Sequence, residues 1–137
     1  IFGKLNSNYK NLSNKHKRII FHNFKKNNYV KEFLKKSSIS VVPSVWNEPF
    51  GRTLIESINS GTATISSNKG GLKEINKFFK TLILNKIDKK TIYIALKKLI
   101  MSKDERSYYS NNNVSNTPFT LNKITSTLDN HRSKILF

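Results

Sequence analysis

The chain contains no cysteine, which excludes disulfide bridges and thiolate metal sites. Glycine and proline are scarce, at 5 and 3 of 137 residues, so neither a collagen-like repeat nor a long disordered tail fits. With 36% hydrophobic residues, one domain with a real core is expected. No apolar run approaches the ~18–20 residues that a bilayer span needs, because Lys or Pro interrupts each one. Acidic residues are the remaining shortage: 8 face 25 Lys+Arg, for a formal charge of +17. The chain opens on Ile1 rather than Met, inside the apolar run Ile1-Phe2-Gly3 and without a leader pattern, and it is expected to be a piece of a longer protein, cut upstream.

The positive charge is unevenly made and unevenly placed. Lysine supplies 21 of the basic residues and arginine 4, alongside 18 Asn and 15 Ile, a mixture that AT-rich coding also produces. Residues 1–47 carry +9, residues 48–74 carry no net charge, and residues 75–137 carry +8. Two readings stay open: the lysines are solvated helix faces, or they help hold an anionic partner such as a membrane surface.

Apolar patterning predicts alternating strands and helices. Ile1-Phe2-Gly3 reads as a strand end and Arg18–His22 as a strand covered on both faces. Tyr29, Val30, Phe33 and Leu34 recur at helical spacing, with Lys31, Lys35 and Lys36 on the wet side. Ser38–Pro43 is the next strand, and Leu54, Ile55 and Ile58 mark a helix that Gly61 ends. Thr62–Ser66 is a strand, a short helix starts near Leu72, and Thr81–Leu84 is a further strand. Asp88 is placed to cap a helix whose apolar positions are Ile92, Ala95, Leu96, Leu99 and Ile100. Asn111–Asn113 reads as a linker, and Leu121, Ile124, Leu128 and Ile135 as a final helix. The fold class is α/β: a Rossmann-like parallel sheet with helices on both faces, over a domain at 1–110 that is truncated at its N-terminus, with linker and helix at 111–137. Ligands of such sheets bind outside the carboxyl ends of the strands, which directs attention to the loops at 22–28, 43–51 and 66–71.

The last two loops hold the unusual residues: Pro43-Ser44, Glu48-Pro49-Phe50-Gly51-Arg52-Thr53, Glu56, and Gly70-Gly71-Leu72-Lys73-Glu74. Phe50-Gly51-Arg52-Thr53 sets free backbone N–H groups at a helix N-terminus, beside a glycine that lets an anion approach the main chain: a phosphate cradle. Glu56, about a turn further in, is placed to accept from a pair of sugar hydroxyls, and Glu48 lies on the loop side where another polyol fits. Two carboxylates bracketing an anion site suit a ligand built of sugar, phosphate and sugar in series.

This block resembles the donor-binding domain of retaining GT-B glycosyltransferases of the family 4 type (glycosyl transferases group 1). Their pattern is a strand ending in Pro-Ser, then Glu-x-Phe-Gly-x-x-x-x-Glu, a Gly before the next strand, and Gly-Gly-x-x-Glu after it. Here it reads Pro43-Ser44, Glu48 through Glu56, Gly61 and Gly70 through Glu74. The resemblance runs from about Ile19 to Ile100 and is most specific at 43–75. It implies that Glu48 contacts the transferred sugar and is the catalytic residue, that the amides of Phe50, Gly51, Arg52 and Thr53 meet the diphosphate, and that Glu56 binds the ribose. Ser44, Gly70 and Gly71 complete the implied donor set. The Arg and Lys pair that the family sets against the diphosphate belongs upstream of Ile1 and is absent, as is the acceptor domain with its catalytic His; Arg52 stands as a partial replacement or as a surface residue. The resemblance further implies a nucleotide-diphosphate sugar as donor substrate, no metal or other cofactor, and transfer of a hexose to a glycan or lipid-linked acceptor through the missing domain. Its expected setting is cell-envelope polysaccharide synthesis in the cytoplasm, with peripheral contact at the inner face of an anionic membrane.

Plainer readings stand beside these. Gly51 and Gly70-Gly71 also suit tight turns, Glu74 a helix N-terminal charge, Glu56 a surface position and Glu48 a partner of the helix dipole. Trp46 is expected to pack under its loop rather than stack on a ligand. His16, His22 and His131 lack metal-ligand spacing, and His22 alone ends a strand at a ligand loop. The competing functions are a vestigial nucleotide-sugar-binding fragment and a basic nucleic-acid-binding module. The second has no RNP1 pattern, GXXG clamp or zinc-finger spacing to support specific nucleic-acid binding.

Overall fold

The computed structural model of the chain describes residues 15–112, together with 123 and 126. The elements are α1 (Asn27–Lys35), β1 (Ile39–Val42), α2 (Arg52–Asn59), β2 (Ala63–Ser67), α3 (Gly71–Ile75), β3 (Leu82–Leu84), α4 (Lys89–Met101) and α5 (Lys103–Ser110). The three strands form a parallel sheet in the order β1-β2-β3, with Ile39 opposite Ala63 and Ile65 opposite Leu82.

This register sorts the side chains onto two unlike faces, because neighbouring strand residues point to opposite sides. Ile39, Val41, Ala63, Ile65, Leu82 and Leu84 share one face and pack against Ile92, Ala95, Leu96 and Leu99 of α4 and Tyr109 of α5. On the other face Val42 joins Leu54, Ile58, Leu72, Ile75 and Phe79, drawn from α2, α3 and the turn after α3. Strand β2 is buried along its whole length, yet it is not apolar throughout: Thr64 and Ser66 look toward the second cluster. Their hydroxyls are satisfied locally, Thr64 donating to the Thr62 carbonyl (3.1 Å) and Ser66 to Asn76 Oδ1 (2.9 Å). A bridge of 2.8 Å between Ser40 and Ser57 ties β1 to α2 on the same side. Among the described residues no buried side-chain polar atom lacks a partner, so the hydroxyl face avoids the penalty of buried unpaired groups.

Helix ends follow the expected chemistry. Asp88 caps α4 by accepting from the Thr91 amide at 2.8 Å. That hydrogen bond, with smaller help from Lys86, holds the Asp88 carboxyl below its ordinary range. The cap therefore stabilises the fold above the unfolded carboxylate value and loses that contribution as pH falls through the lower folded value. Helix α5 was not expected from apolar spacing; its signal is Ser102-x-x-Glu105, where Ser102 Oγ accepts from the Glu105 amide at 3.2 Å. Asn112, read as linker, is docked: its side chain accepts from the Lys80 amide at 2.7 Å and donates to the Tyr109 carbonyl at 3.1 Å.

Three expectations are corrected. Arg18–His22 is not a strand of the sheet; His22 makes a single isolated bridge and Ile20 is 63% exposed. The Ile19 amide closes a turn onto the His16 carbonyl at 2.8 Å, so the start of the run is bent where a strand needs extended backbone. Ile100 is 60% exposed instead of core, since the contact face of α4 is centred on Ala95 and Leu99. Tyr29 and Phe33 of α1 are also partly exposed, at 46% and 41%; they meet the His22 ring at 6.0 and 5.5 Å while Leu34 is the buried residue. The strand end at Ile1-Phe2-Gly3 and the helix through Leu121, Ile124, Leu128 and Ile135 lie outside the described residues. Among the described residues no helix is long and apolar enough to cross a membrane.

Gly61 ends α2 as expected, with a left-handed φ of +72°. Its N–H reaches the Ile58 carbonyl at 3.0 Å and the Thr62 N–H reaches Ser57 at 3.4 Å, which is the paired bonding of a Schellman motif. No atom lies within 4 Å of where its Cβ would stand, so conformation alone is at stake. Gly61→Ala is expected to cost about 1–2 kcal/mol, and Gly61→Asn less, because Asn tolerates left-handed backbone; urea unfolding midpoints of the two variants measure the difference.

Candidate functional site

Two loops meet at the carboxyl end of the sheet: residues 43–51 after β1 and residues 68–70 after β2. Ser67 Oγ, at the end of β2, donates to the Ser44 carbonyl at 2.9 Å and pins the start of the first loop. Ser44 Oγ in turn donates to Glu48 Oε1. The Gly71 amide donates to the Glu48 carbonyl at 2.6 Å, and Lys69 Nζ donates to the Val45 carbonyl at 3.0 Å. Glu48 is thus held at both ends, its side chain by Ser44 and its backbone by Gly71.

Glycine is required here by backbone contact. A Cβ on Gly70 would overlap the main chain of Asn47 and Glu48, and one on Gly71 would lie 2.6–2.8 Å from the main chain of Phe50. Gly70 also has a positive φ of 51°. Gly51, at φ +81°, leaves the space that the side chains of Leu72 and Ile75 fill. Gly51, expected to let an anion approach, and Gly70-Gly71, expected to line the sugar or phosphate side, let two loops and a short helix approach one another, as the turn reading requires.

Helix α2 begins directly after Gly51 and has no side-chain cap. The Leu54 and Ile55 amides turn back to the Gly51 carbonyl at 3.0 and 3.3 Å, while the amides of Gly51, Arg52 and Thr53 donate to no described residue. These are the orphan donors and positive dipole end that favour an anion. Glu56, a turn further on, faces the opposite flank. Arg52 Nε donates to Glu56 Oε1 at 2.8 Å, with Arg52 72% and Glu56 16% exposed. Asn27, at the start of α1, joins this pair: with its amide turned to satisfy both neighbours, it donates to Glu56 at 3.1 Å and accepts from Arg52 at 2.6 Å. Arg52 stands N-terminal to Glu56, the weaker order for an i, i+4 pair.

Glu48 and Glu56 thus flank one helix N-terminus, Glu48 on the side of Gly70-Gly71 and Glu56 on the side of α1. Phe50, Arg52 and Thr53 are solvent-exposed at the same end. Glu74 is exposed in the first turn of α3. Trp46 is 60% exposed and does not pack under its loop, a correction: the loop is held down by main-chain ties to Ser67, Lys69 and Gly71 and not by the indole. The sequence reading missed Asn27, Ser67 and Lys69. Each carried only the signal of its loop, Asn27 in 22–28 and Ser67 and Lys69 in 66–71.

The backbone contact at Gly71 is directly testable. Gly71→Ala forces a main-chain overlap that cannot relax by rotating a side chain, and is expected to destabilise the fold by about 1–3 kcal/mol. Glu74→Ala, at an exposed neighbouring position, is expected to stay within about 0.5 kcal/mol of the parent. Thermal unfolding of both variants provides the comparison.

Comparisons with known proteins agree with this architecture. Residues 1–115 match the family model described as Glycosyl transferases group 1. An uncharacterised 42.6 kDa protein in the cps region of Klebsiella pneumoniae is 38% identical over 48 residues, covering 35% of this chain and 13% of that protein. An uncharacterised glycosyltransferase of Methanocaldococcus jannaschii is 38% identical over 60 residues, covering 44% and 15%. Among solved structures, sucrose-phosphate synthase from Thermosynechococcus elongatus superposes with a TM-score of 0.64 at 23% identity, over 74% of this chain and 26% of that one. WaaG, a glycosyltransferase involved in lipopolysaccharide biosynthesis, gives a TM-score of 0.64 at 18% identity, over 80% and 30%. The matched regions therefore span less than a third of each of these proteins. The parallel sheet is the Rossmann-like fold of GT-B glycosyltransferases, and with its family model matched over most of its length the chain belongs to the glycosyl transferases group 1 family.

Proposed function

We propose that the chain is the donor-binding domain of a retaining glycosyltransferase, one that takes a hexose from a nucleoside diphosphate sugar and delivers it to a glycan or lipid-linked acceptor held by a further domain. The observation that carries the reading is the arrangement around α2: unbonded amides at Gly51, Arg52 and Thr53, with Glu48 anchored on one flank and Glu56 on the other. In this reading the diphosphate lies at the helix N-terminus and Glu56, with Asn27 beside it, takes the ribose hydroxyls. Ser44, Gly70 and Gly71 hold Glu48 against the sugar.

The reaction breaks the bond between the anomeric carbon and the diphosphate oxygen and forms one to the oxygen of an acceptor hydroxyl on the same face, whose proton passes to the leaving diphosphate. Negative charge grows on the leaving diphosphate, where the α2 amides and Arg52 meet it; the reading needs no metal. Positive charge grows at the anomeric carbon, where the Glu48 carboxylate is placed to stabilise it. A cell-envelope polysaccharide as product, a cytoplasmic setting and peripheral contact with an anionic membrane extend the same proposal. The cps-region relative and WaaG support the product class, and the lysine-rich flanks support the membrane contact.

The two glutamates separate this reading from a surface-charge reading. In the whole enzyme, Glu56→Ala removes ribose binding that is equal in ground and transition states, and is expected mainly to raise the donor KM. Glu48→Gln is expected mainly to lower kcat. Loss of a charged hydrogen bond, about 1.5–3 kcal/mol, corresponds to roughly a 10- to 150-fold effect in the affected parameter. Steady-state kinetics with purified donor sugars make the test; small, equal effects in both variants overturn the assignment.

A further inference from the structure

A groove of ≈ 350 Å³ opens beside the donor cleft, lined by Val45, Asn68, Lys69, Leu84, Asn85, Lys86 and Ile87. Its construction follows from the sheet register. Ser67 of β2 is paired with Leu84 of β3, and each is followed by the same dipeptide: Asn68-Lys69 in one case, Asn85-Lys86 in the other. Parallel neighbours lie about 4.8 Å apart, so the paired strand ends deliver two Asn-Lys dipeptides side by side. Buried Leu84 forms the floor.

The lining is basic and polar. Two ammonium groups and no carboxylate line the groove. Each lysine is turned to a modest substitute at its rim, Lys69 to the Val45 carbonyl at 3.0 Å and Lys86 to Asp88 at 3.2 Å. The Lys86 pair is exposed and of little energetic weight. The Asn68 and Asn85 side-chain amides bond to no described residue, leaving donors and acceptors of the kind that sugar hydroxyls use. The groove shares Val45 with the loop that carries Glu48, and Lys69 directly precedes Gly70, so whatever fills it lies next to the donor cleft.

We propose that the two Asn-Lys dipeptides form an anion-binding saccharide subsite, which takes a sugar bearing a carboxylate or phosphate group: the lysines hold the charge and the asparagines the hydroxyls. The subsite deepens the glycosyltransferase reading by making the protein selective for an acidic glycan, and it rests on that reading for its place in the reaction. Its binding chemistry stands on the register alone.

The test is a titration of the isotopically labelled chain, followed by the amide resonances of residues 68, 69, 85 and 86, with glucose 6-phosphate, glucuronate, glucose and inorganic phosphate. Both acidic sugars are expected to shift these four resonances, with roughly tenfold weaker binding of glucose and of inorganic phosphate, since each lacks one half of the recognition. Lys69→Ala and Lys86→Ala are each expected to weaken acidic-sugar binding roughly tenfold, Lys86→Arg to restore most of it, and Lys97→Ala, at an exposed position of α4, to leave it unchanged. Equal binding of phosphate and glucose 6-phosphate, equal binding of glucose, an equal effect of Lys97→Ala, or no shift at these positions overturns the proposal. A parallel titration with a nucleoside diphosphate, read at residues 51–53 and 56, reports the donor reading separately, so that either can fail alone.

Discussion

The carboxyl end of the sheet depends on two missing methyl-sized groups. Where Gly70 and Gly71 pass Asn47, Glu48 and Phe50, main chain touches main chain, and a side chain on either glycine would occupy the same space as backbone. From that contact the rest follows: the Gly71 amide reaches the Glu48 carbonyl, the loop after β1 is drawn against the loop after β2, and Glu48 is presented with its side chain against Ser44. Gly51 extends the same constraint, since its lack of a side chain admits Leu72 and Ile75 and so joins the start of α2 to α3. Backbone cannot yield as a flexible side chain does, so this junction does not tolerate an added side chain.

The two carboxylates are held by unlike means. Glu48 belongs to a tight loop and is restrained at its backbone as well as its side chain. Glu56 projects from a helix into a cluster with Arg52 and Asn27, where its partners are side chains, Arg52 is largely exposed and the charge order is the weaker one. A restrained carboxylate suits a charge that must be in place before a reaction starts, and a weakly paired one suits a ligand that must enter and leave. The division agrees with the distinct roles proposed for them.

The fold was legible where periodicity and end signals coincided. Val41, Val42, Ile65 and Leu84 lie in strands and Leu54, Ile58 and Leu99 in helices as expected, with Asp88 and Gly61 at the predicted ends. It failed at Arg18–His22, whose composition resembles a strand but whose start is bent by the turn from His16 to Ile19. It also failed at Ile100 and Trp46, where hydrophobic character was taken as burial. Apolar residues are common on surfaces, and only the packing of neighbours decides which are covered. Helix α5 escaped because a helix with no buried residue has no apolar stripe to read, although Ser102 and Glu105 marked its start.

The chain's own order of residues determined the α/β class, the family and the membership of the 43–75 block, because these rest on local spacing: period, caps, turn glycines and a run of identities that survives without coordinates. It also determined that Gly51, Gly70 and Gly71 had to be glycine, though not for which contact. Tertiary structure alone decided which atoms meet. That Gly71 bonds Glu48, that Asn27 reaches Glu56 across 29 positions of sequence, and that Asn68-Lys69 stands beside Asn85-Lys86 all follow from strand register and loop packing. Such contacts join residues far apart in sequence through many small packing terms, and no local pattern encodes their sum.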